Sequence, residues 1–283
     1  MEGKGEKKMK IAYTVWTWMK SQFGATESTE EARGLFEQGV REVADLGYPC
    51  VENFNFVSTL FKDYPEEFER IMEENHVEFV NIYHALSDDY EADYKMAVQC
   101  CKFLKEHKAS LMNLEGPRRN GAEATEEKMA VICQHINEIA EMAREYGVTV
   151  CVHPHYGTYF ETAEQIAFLD AHTNPELVKY CIDTCHCVLG KMDPVEVFRK
   201  YAGRLGYVHF KDISSDENEH PEFPIKRCRA LGEGIVDFRG VMEVLKEAGY
   251  DGIICVEVDW PRLCNYETAM VSKKYLHNVL KLG

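Results

Sequence analysis

The stretch VTVCVHPHYGTYFET (residues 148–162) places His153 and His155 two residues apart at the end of an apolar run. Such a pair can supply metal ligands, catalytic bases or ordinary turn residues. Three later apolar runs end in a similar way: VKYCID on Asp183, YVHFK around His209, and IICVEV around Glu257. Side chains alternate faces along a strand, so residues two apart share a face. In the first run Val148, Val150 and Val152 take one face, and Thr149, Cys151 and His153 the other. The same parity groups Asp183 with Cys181, sets His209 opposite Val208 and Phe210, and groups Glu257 with Cys255. A lone buried histidine is more often a satisfied core residue than a ligand. Four polar residues at four strand ends, all on the mixed face, shift that balance. Two imidazoles and two carboxylates suit a divalent cation such as Mn²⁺, Co²⁺, Zn²⁺ or Fe²⁺. A buried carboxylate pair with no cation beside it would be costly.

The elements that must position these residues are legible as eight apolar runs. They are residues 10–15, 50–54, 77–83, 110–116, 148–153, 178–183, 206–211 and 252–258, each followed by helical patterning. EEKMAVICQHINEIAEMAREYG and DFRGVMEVLKEAGYDG each carry a Gly after a run of good helix formers, a normal helix stop. Eight strand–helix alternations predict a single α/β domain, a (β/α)₈ barrel, with its active site at the C-terminal ends of the strands. The barrel is expected over 9–283, with 1–8 a disordered N-terminal extension. A doubly wound open sheet is the alternative, but no G-x-G-x-x-G follows an early strand. The long polar loop at 212–233 follows the seventh strand, on the face where barrels keep their sites.

The 283 residues carry a formal net charge of −16, which argues against nucleic acid or an anionic membrane as the main partner. No apolar run approaches membrane-spanning length. The opening MEGKGEKKMK is charged and unlike a signal peptide, and the eleven cysteines lack a disulfide-framework context. Both point to the cytoplasm. Cys181, Cys185 and Cys187 invite a zinc–thiolate reading, but their spacing is wrong for paired C-x-x-C ligands.

VENFN, HPHYGT, CIDTCH, VHFKD, LGEG and VEVD, in this order and spacing, together resemble the xylose-isomerase-like TIM barrels. That superfamily includes sugar-phosphate isomerases and epimerases, inosose dehydratases and endonuclease IV. The resemblance implies one divalent metal, Mn²⁺ or Co²⁺ first, with Zn²⁺, Fe²⁺ or Mg²⁺ as alternatives. The usual ligands are Glu, Asp, His and Glu. Asp183, His209 and Glu257 match the last three, and His153 stands where epimerases carry the first Glu. HPHYGT is closer to the segment of inosose dehydratases. Ketose 3-epimerases trade a proton between two metal-bound glutamates, and here one of that pair is replaced. The resemblance also places His186, three after Asp183, and Arg229, just ahead of LGEG, near the substrate.

The implied chemistry is proton abstraction beside a carbonyl, with Glu257 or His155 as base and His186 or His155 as acid. Glu52, Trp18, His84 and Lys211 are further candidates for substrate contact; Trp16 and Trp18 can form a sugar-stacking wall or merely cover the core. The missing glutamate favours a lyase: dehydration of an inosose or keto-sugar, or elimination from a 3-keto-glycoside. A sugar or sugar-phosphate isomerase or 3-epimerase is the alternative. An endonuclease IV-like enzyme and a non-catalytic sugar-binding barrel are remoter ones. The expected partner is a small keto-sugar or cyclitol, with a homo-oligomer or a small partner subunit possible.

Overall fold

All eight apolar runs pair into one closed parallel barrel. The computed structural model describes residues 9–22 and 29–282; the expected extension at 1–8 lies outside them. The strands in chain order are β1 (Lys10–Thr14), β2 (Cys50–Phe54), β3 (Glu78–Ala85), β4 (Leu111–Glu115), β5 (Thr149–His153), β6 (Val178–Asp183), β7 (Leu205–Phe210), β8 (Asp212–Ile213), β9 (Cys228–Arg229) and β10 (Ile253–Val256). The barrel runs β1–β10–β7–β6–β5–β4–β3–β2, so β10 closes it against β1. The larger helices include α1 (Glu30–Asp45), α2 (Val57–Leu60), α3 (Pro65–Asn75), α4 (Tyr90–Glu106), α5 (Glu126–Glu145), α6 (Ala163–His172), α7 (Thr184–Leu189), α8 (Pro194–Tyr201), α9 (Phe238–Glu247) and α10 (Asn265–Tyr275).

Strand parity sorts the core into two parts. The outward faces, such as Val150 and Val152, join a large apolar shell with the helices. The inward faces form a small inner layer of Ala12, Cys50, Val80, Cys151, Cys181, Tyr207 and Cys255. Here cysteine acts as a small core residue. Among the described residues no cysteine is in a disulfide, and only Cys264 is exposed. No described helix is long and apolar enough to cross a membrane.

One irregularity sets the register of the site. Between Tyr180↔Leu205 and Cys181↔Tyr207 the β6–β7 pairing slips by one residue, so that Asp183 faces His209. Without the slip Asp183 would lie beside Val208, which points to the helices, because a one-residue shift exchanges the faces. The residue skipped is Gly206. A Cβ there would stand 2.6 Å from Cys151 Sγ and 2.8 Å from Lys179 Cβ. We therefore expect Gly206→Ala to destabilise the chain by about 2 kcal/mol through overpacking, read as a lower midpoint in denaturant with an unchanged slope.

The loop after β7 is not loose. β8 and β9 pair antiparallel within it. The Asp212 carboxylate accepts hydrogen bonds from the backbone N–H groups of Ile213, Gly232, Gly234 and Val236. A Cβ on Gly234 would lie 2.2 Å from Asp212 Oδ1, so LGEG owes this glycine to close backbone approach.

Candidate active site

β5, β6, β7 and the residue just past β10 deliver His153, Asp183, His209 and Glu257 to one buried cluster at the C-terminal mouth. Glu257 continues the ladder, its N–H donating to the Phe210 carbonyl at 3.1 Å. His153 Nε2 lies 3.2 Å from His209 Nδ1 and 3.7 Å from Asp183 Oδ2. His209 Nδ1 lies 3.8 Å from Asp183 Oδ2 and 3.1 Å from Glu257 Oε2. Ligand atoms at ordinary bond lengths around a tetrahedral cation stand roughly 3.4 Å apart, so the four atoms already outline such a cage.

Asp183 divides its two oxygens between structure and site. Oδ1 accepts from the His186 N–H and caps α7. Oδ2 is buried with no hydrogen-bond donor, as expected of a ligand atom. Charge makes the same point. Glu52, Asp183, Glu257 and Asp259 surround His209 and Lys211. Four carboxylates against one ammonium leave three negative charges before any histidine is protonated. Burial opposes the charge on Glu257 and Asp183, but Lys211 above all holds both carboxyls below the usual range. Burial pushes Asp259 up to about 6, with Lys211 opposing. Burial also opposes the charge on Lys211, yet Asp183, Asp259 and Glu257 raise its pKa well above the ordinary value. The donor set, the cage and the surplus charge all fit a divalent cation.

Behind the cage stand the groups that orient it. His209 turns its other nitrogen, Nε2, to within 3.0 Å of Glu52 Oε1, an ion-pair contact without hydrogen-bond alignment; a carboxylate placed behind a ligating histidine tunes that ring. Glu52 is 1% exposed and is not among the residues lining the cavity. We expect Glu52→Gln to weaken metal affinity by roughly 10–100-fold, measured by competition with a chelating dye. On the other side His153 Nδ1 lies 3.5 Å from the Tyr83 hydroxyl, which donates to Glu115 Oε2 at 2.5 Å.

His155 and His186 meet beside the cage with ring centres 3.6 Å apart and planes tilted by 38°. His155 Nδ1 lies 2.7 Å from the Tyr156 carbonyl, which can only accept, and 2.9 Å from Arg118 Nη1, which can only donate. His186 Nδ1 accepts the Tyr156 N–H at 3.4 Å, which puts its proton on Nε2. Burial first, then nearby positive groups, holds both imidazoles well below the usual pKa.

A residue-level match covers most of the chain: the family model described as xylose isomerase-like TIM barrel matches residues 40–275. The chain belongs to this family. Among its curated relatives, the inosose dehydratase of Geobacillus kaustophilus is 28% identical over 272 residues, covering 86% of this chain and 87% of that protein. The inosose dehydratase of Lacticaseibacillus casei is 31% identical over 169 residues, covering 56% of this chain and 57% of that protein. The chain thus spans little more than half the length of the L. casei relative. In fold the barrel is similar to the crystal structure of IolI protein with a bound zinc atom, at a TM-score of 0.76 and 17% identity over 96% of this chain and 98% of that one.

The rest of the family cavity is about 970 Å³ in volume. His155, Lys211 and Glu257 line it as the strand parity suggested, and Glu115, Arg118 and Asp259 join them. The sequence reading missed these three. Parity would have found Glu115, which shares its face with Leu111 and Asn113 and pairs with His153, and Asp259, two beyond Glu257. Nothing in the sequence signals Arg118, whose guanidinium reaches back to Glu115 Oε1 at 2.7 Å.

Three expected substrate contacts fall elsewhere. Trp18 turns away after β1: its Nε1 donates to Glu42 at 2.7 Å and its ring packs on Gly39 of α1. Trp16 takes the place on the cavity wall instead. His84 is buried between Asn55, at 3.0 Å, and the Asp93 carbonyl, at 3.1 Å. Arg229 donates to the carbonyls of Arg227 and Cys228 and pairs with Glu219. It braces the loop from within.

Proposed function

We propose that the chain is a metal-dependent dehydratase that enolises an inosose or a related keto-sugar and then releases water. The single observation that carries this reading is the cage of His153, Asp183, His209 and Glu257 with the His155 imidazole beside it. A bound divalent cation would supply Lewis-acid polarisation of the substrate carbonyl, which lowers the pKa of the neighbouring C–H. The His155 imidazole, neutral and on the cavity wall, takes that proton. Glu257 is the alternative base, but its Oε2 is held by Lys211 at 2.7 Å and His209 at 3.1 Å and would also serve as a ligand. Lys211 offers the developing oxyanion an ammonium. The proton taken by His155 returns to the departing β-hydroxyl, so atoms balance as water plus the unsaturated ketone. His186 underlies His155 and holds its ring. The inosose dehydratase relatives and the histidine at β5 both favour loss of water over epimerisation.

Mn²⁺ or Co²⁺ suits the mixed N/O donor set, Zn²⁺ being the ion of the IolI relative. Charge and cysteine usage favour a cytoplasmic enzyme of small cyclitols or keto-sugars. The test is direct. Purified protein is assayed for metal and incubated with inososes and keto-sugars in D₂O. The expected result is metal-dependent loss of water. Deuterium uptake without water loss would make the chain an isomerase or epimerase, and no exchange on any candidate would sink the proposal.

A further inference from the structure

The cavity is larger and less polar than a cyclitol needs. Its 970 Å³ stands at the top of the range that encloses drug-sized ligands, and a single cyclitol ring fills a fraction of it. Its lining mixes two chemistries. Lys211, Glu257, Asp259, His155, Glu115 and Arg118 make its polar floor beside the cage. Trp16, Phe54, Phe223, Pro224, Ile225 and Trp260 make an apolar wall, with Arg119, Asn120 and Glu222 also in the lining.

These apolar residues form two aromatic corners. Trp16 and Phe54 meet edge-on with centres 5.1 Å apart, and Phe54 lies 4.7 Å from Tyr83. Tyr83 in turn lies 5.3 Å from the His153 ring, so this corner descends to the cage. The second corner is Phe223 against Trp260, 5.9 Å apart, from two different loops. Lys226 lies 4.7 Å from the Trp260 ring centre and supports it from the polar side. Trp260 directly follows Asp259, which Lys211 holds at 2.8 Å. The apolar wall therefore begins where the polar floor ends. Phe223 keeps 48% of its surface exposed, although a rim phenylalanine gains by being covered.

We propose that this wall is a subsite for a flat aromatic substituent carried by the keto-sugar, so that the substrate class is an aryl-substituted sugar rather than a bare cyclitol. The inference rests on the reading of the floor as the sugar-enolising site. Continuity of wall and floor in one cavity identifies the occupant: the sugar reaches the cage while its apolar appendage lies between the two corners. Aromatic rings favour a planar π-faced group through edge and face contacts.

The test compares phenyl β-D-glucoside with methyl β-D-glucoside as probes of the metal-loaded protein. Two of the three tryptophans line the wall, so binding is read by tryptophan fluorescence and checked by calorimetry. The phenyl compound is expected to bind at least about tenfold tighter, from contacts with two aromatic corners. Phe223→Ala, at a half-exposed position, and Trp260→Ala should each remove several-fold of that advantage. Equal affinities, or no saturation by either probe, overturn the subsite. Cellobiose binding as tightly as the phenyl glucoside would reassign the wall to a second sugar. Self-association abolished by Phe223→Ala, with no phenyl preference, would reassign it to a second copy of the chain. The chemistry fails separately: a clear phenyl preference with no deuterium exchange would leave the subsite standing and remove the enolising reading.

Discussion

Replacing His153 by alanine should abolish stoichiometric metal binding and lower turnover on the order of a thousandfold, since a lost Lewis acid removes several kcal/mol of transition-state stabilisation. The position isolates the metal better than the other three ligands do. Asp183 also caps α7, and removing His209 strands the buried Glu52. Beyond the cage, His153 meets the Tyr83 hydroxyl at 3.5 Å and the rings of Tyr83, His155 and His186, and it caps no helix. Metal analysis of the dialysed variant beside its turnover decides the matter. Full metal content with full activity would remove His153 from the centre. His153→Glu serves as the companion, because a carboxylate at this strand end is a competent ligand. It should recover metal, and its product reports whether the histidine steers the reaction toward water loss.

Lys211→Met should have the largest effect on stability. The ammonium is 1% exposed and lies 2.7 Å from Glu257, 2.8 Å from Asp259 and 3.4 Å from Asp183. Removing one partner of a buried ionic group costs about 3–5 kcal/mol because the others remain charged and unpaired. In metal-free protein this should lower Tm by roughly 10 °C. The pH dependence follows from the directions of the shifts. The folded pKa of Lys211 is raised, so its contribution is complete at neutral pH and is lost only as pH climbs through that high value. The folded pKa values of Asp183 and Glu257 are lowered, so their contribution is present above the unfolded carboxylate range and is lost as pH falls through the folded values. The penalty of Lys211→Met should therefore be full at pH 7 and shrink in acid. Added divalent cation should raise the Tm of the variant more than that of the parent. Equal shifts would mean that metal and lysine do not neutralise the same carboxylates.

Most of the barrel was legible because strands and helices write different periods into a sequence. Parity alone brought His153, Asp183, His209 and Glu257 together, since each lies on or directly after a strand and a strand side chain has only two faces. The same rule fails where no strand carries the residue. Trp16 and Trp18 sit in a 3₁₀ turn, and only the tertiary position of α1 decides that Trp18 faces a helix and Trp16 the cavity. Arg229 lies in a short hairpin strand whose neighbours were invisible until β8 and β9 paired. The register slip at Gly206 left only a glycine as its trace, and without that slip the parity of β6 and β7 would have been misleading about their relative alignment. Glu52 was expected against the substrate and lies buried behind His209, because parity says which way a side chain points and not what stands in front of it.

The cysteine layer beneath the cage has a practical consequence for oxidative damage. Burial raises the pKa of Cys151 and Cys255 well above the ordinary thiol value and that of Cys181 to about 11. Only the thiolate reacts readily with oxidants and alkylating reagents. The folded barrel therefore shields these sulfurs by both access and protonation, leaving Cys264 as the reactive thiol among those described. Each opening of the barrel exposes several nucleophiles at once. Alkylation of one would wedge a bulky group into space shaped for a small side chain and block reclosure. Thiol capture would thus make unfolding irreversible, and the lifetime of this protein under oxidising conditions would follow how often its barrel opens.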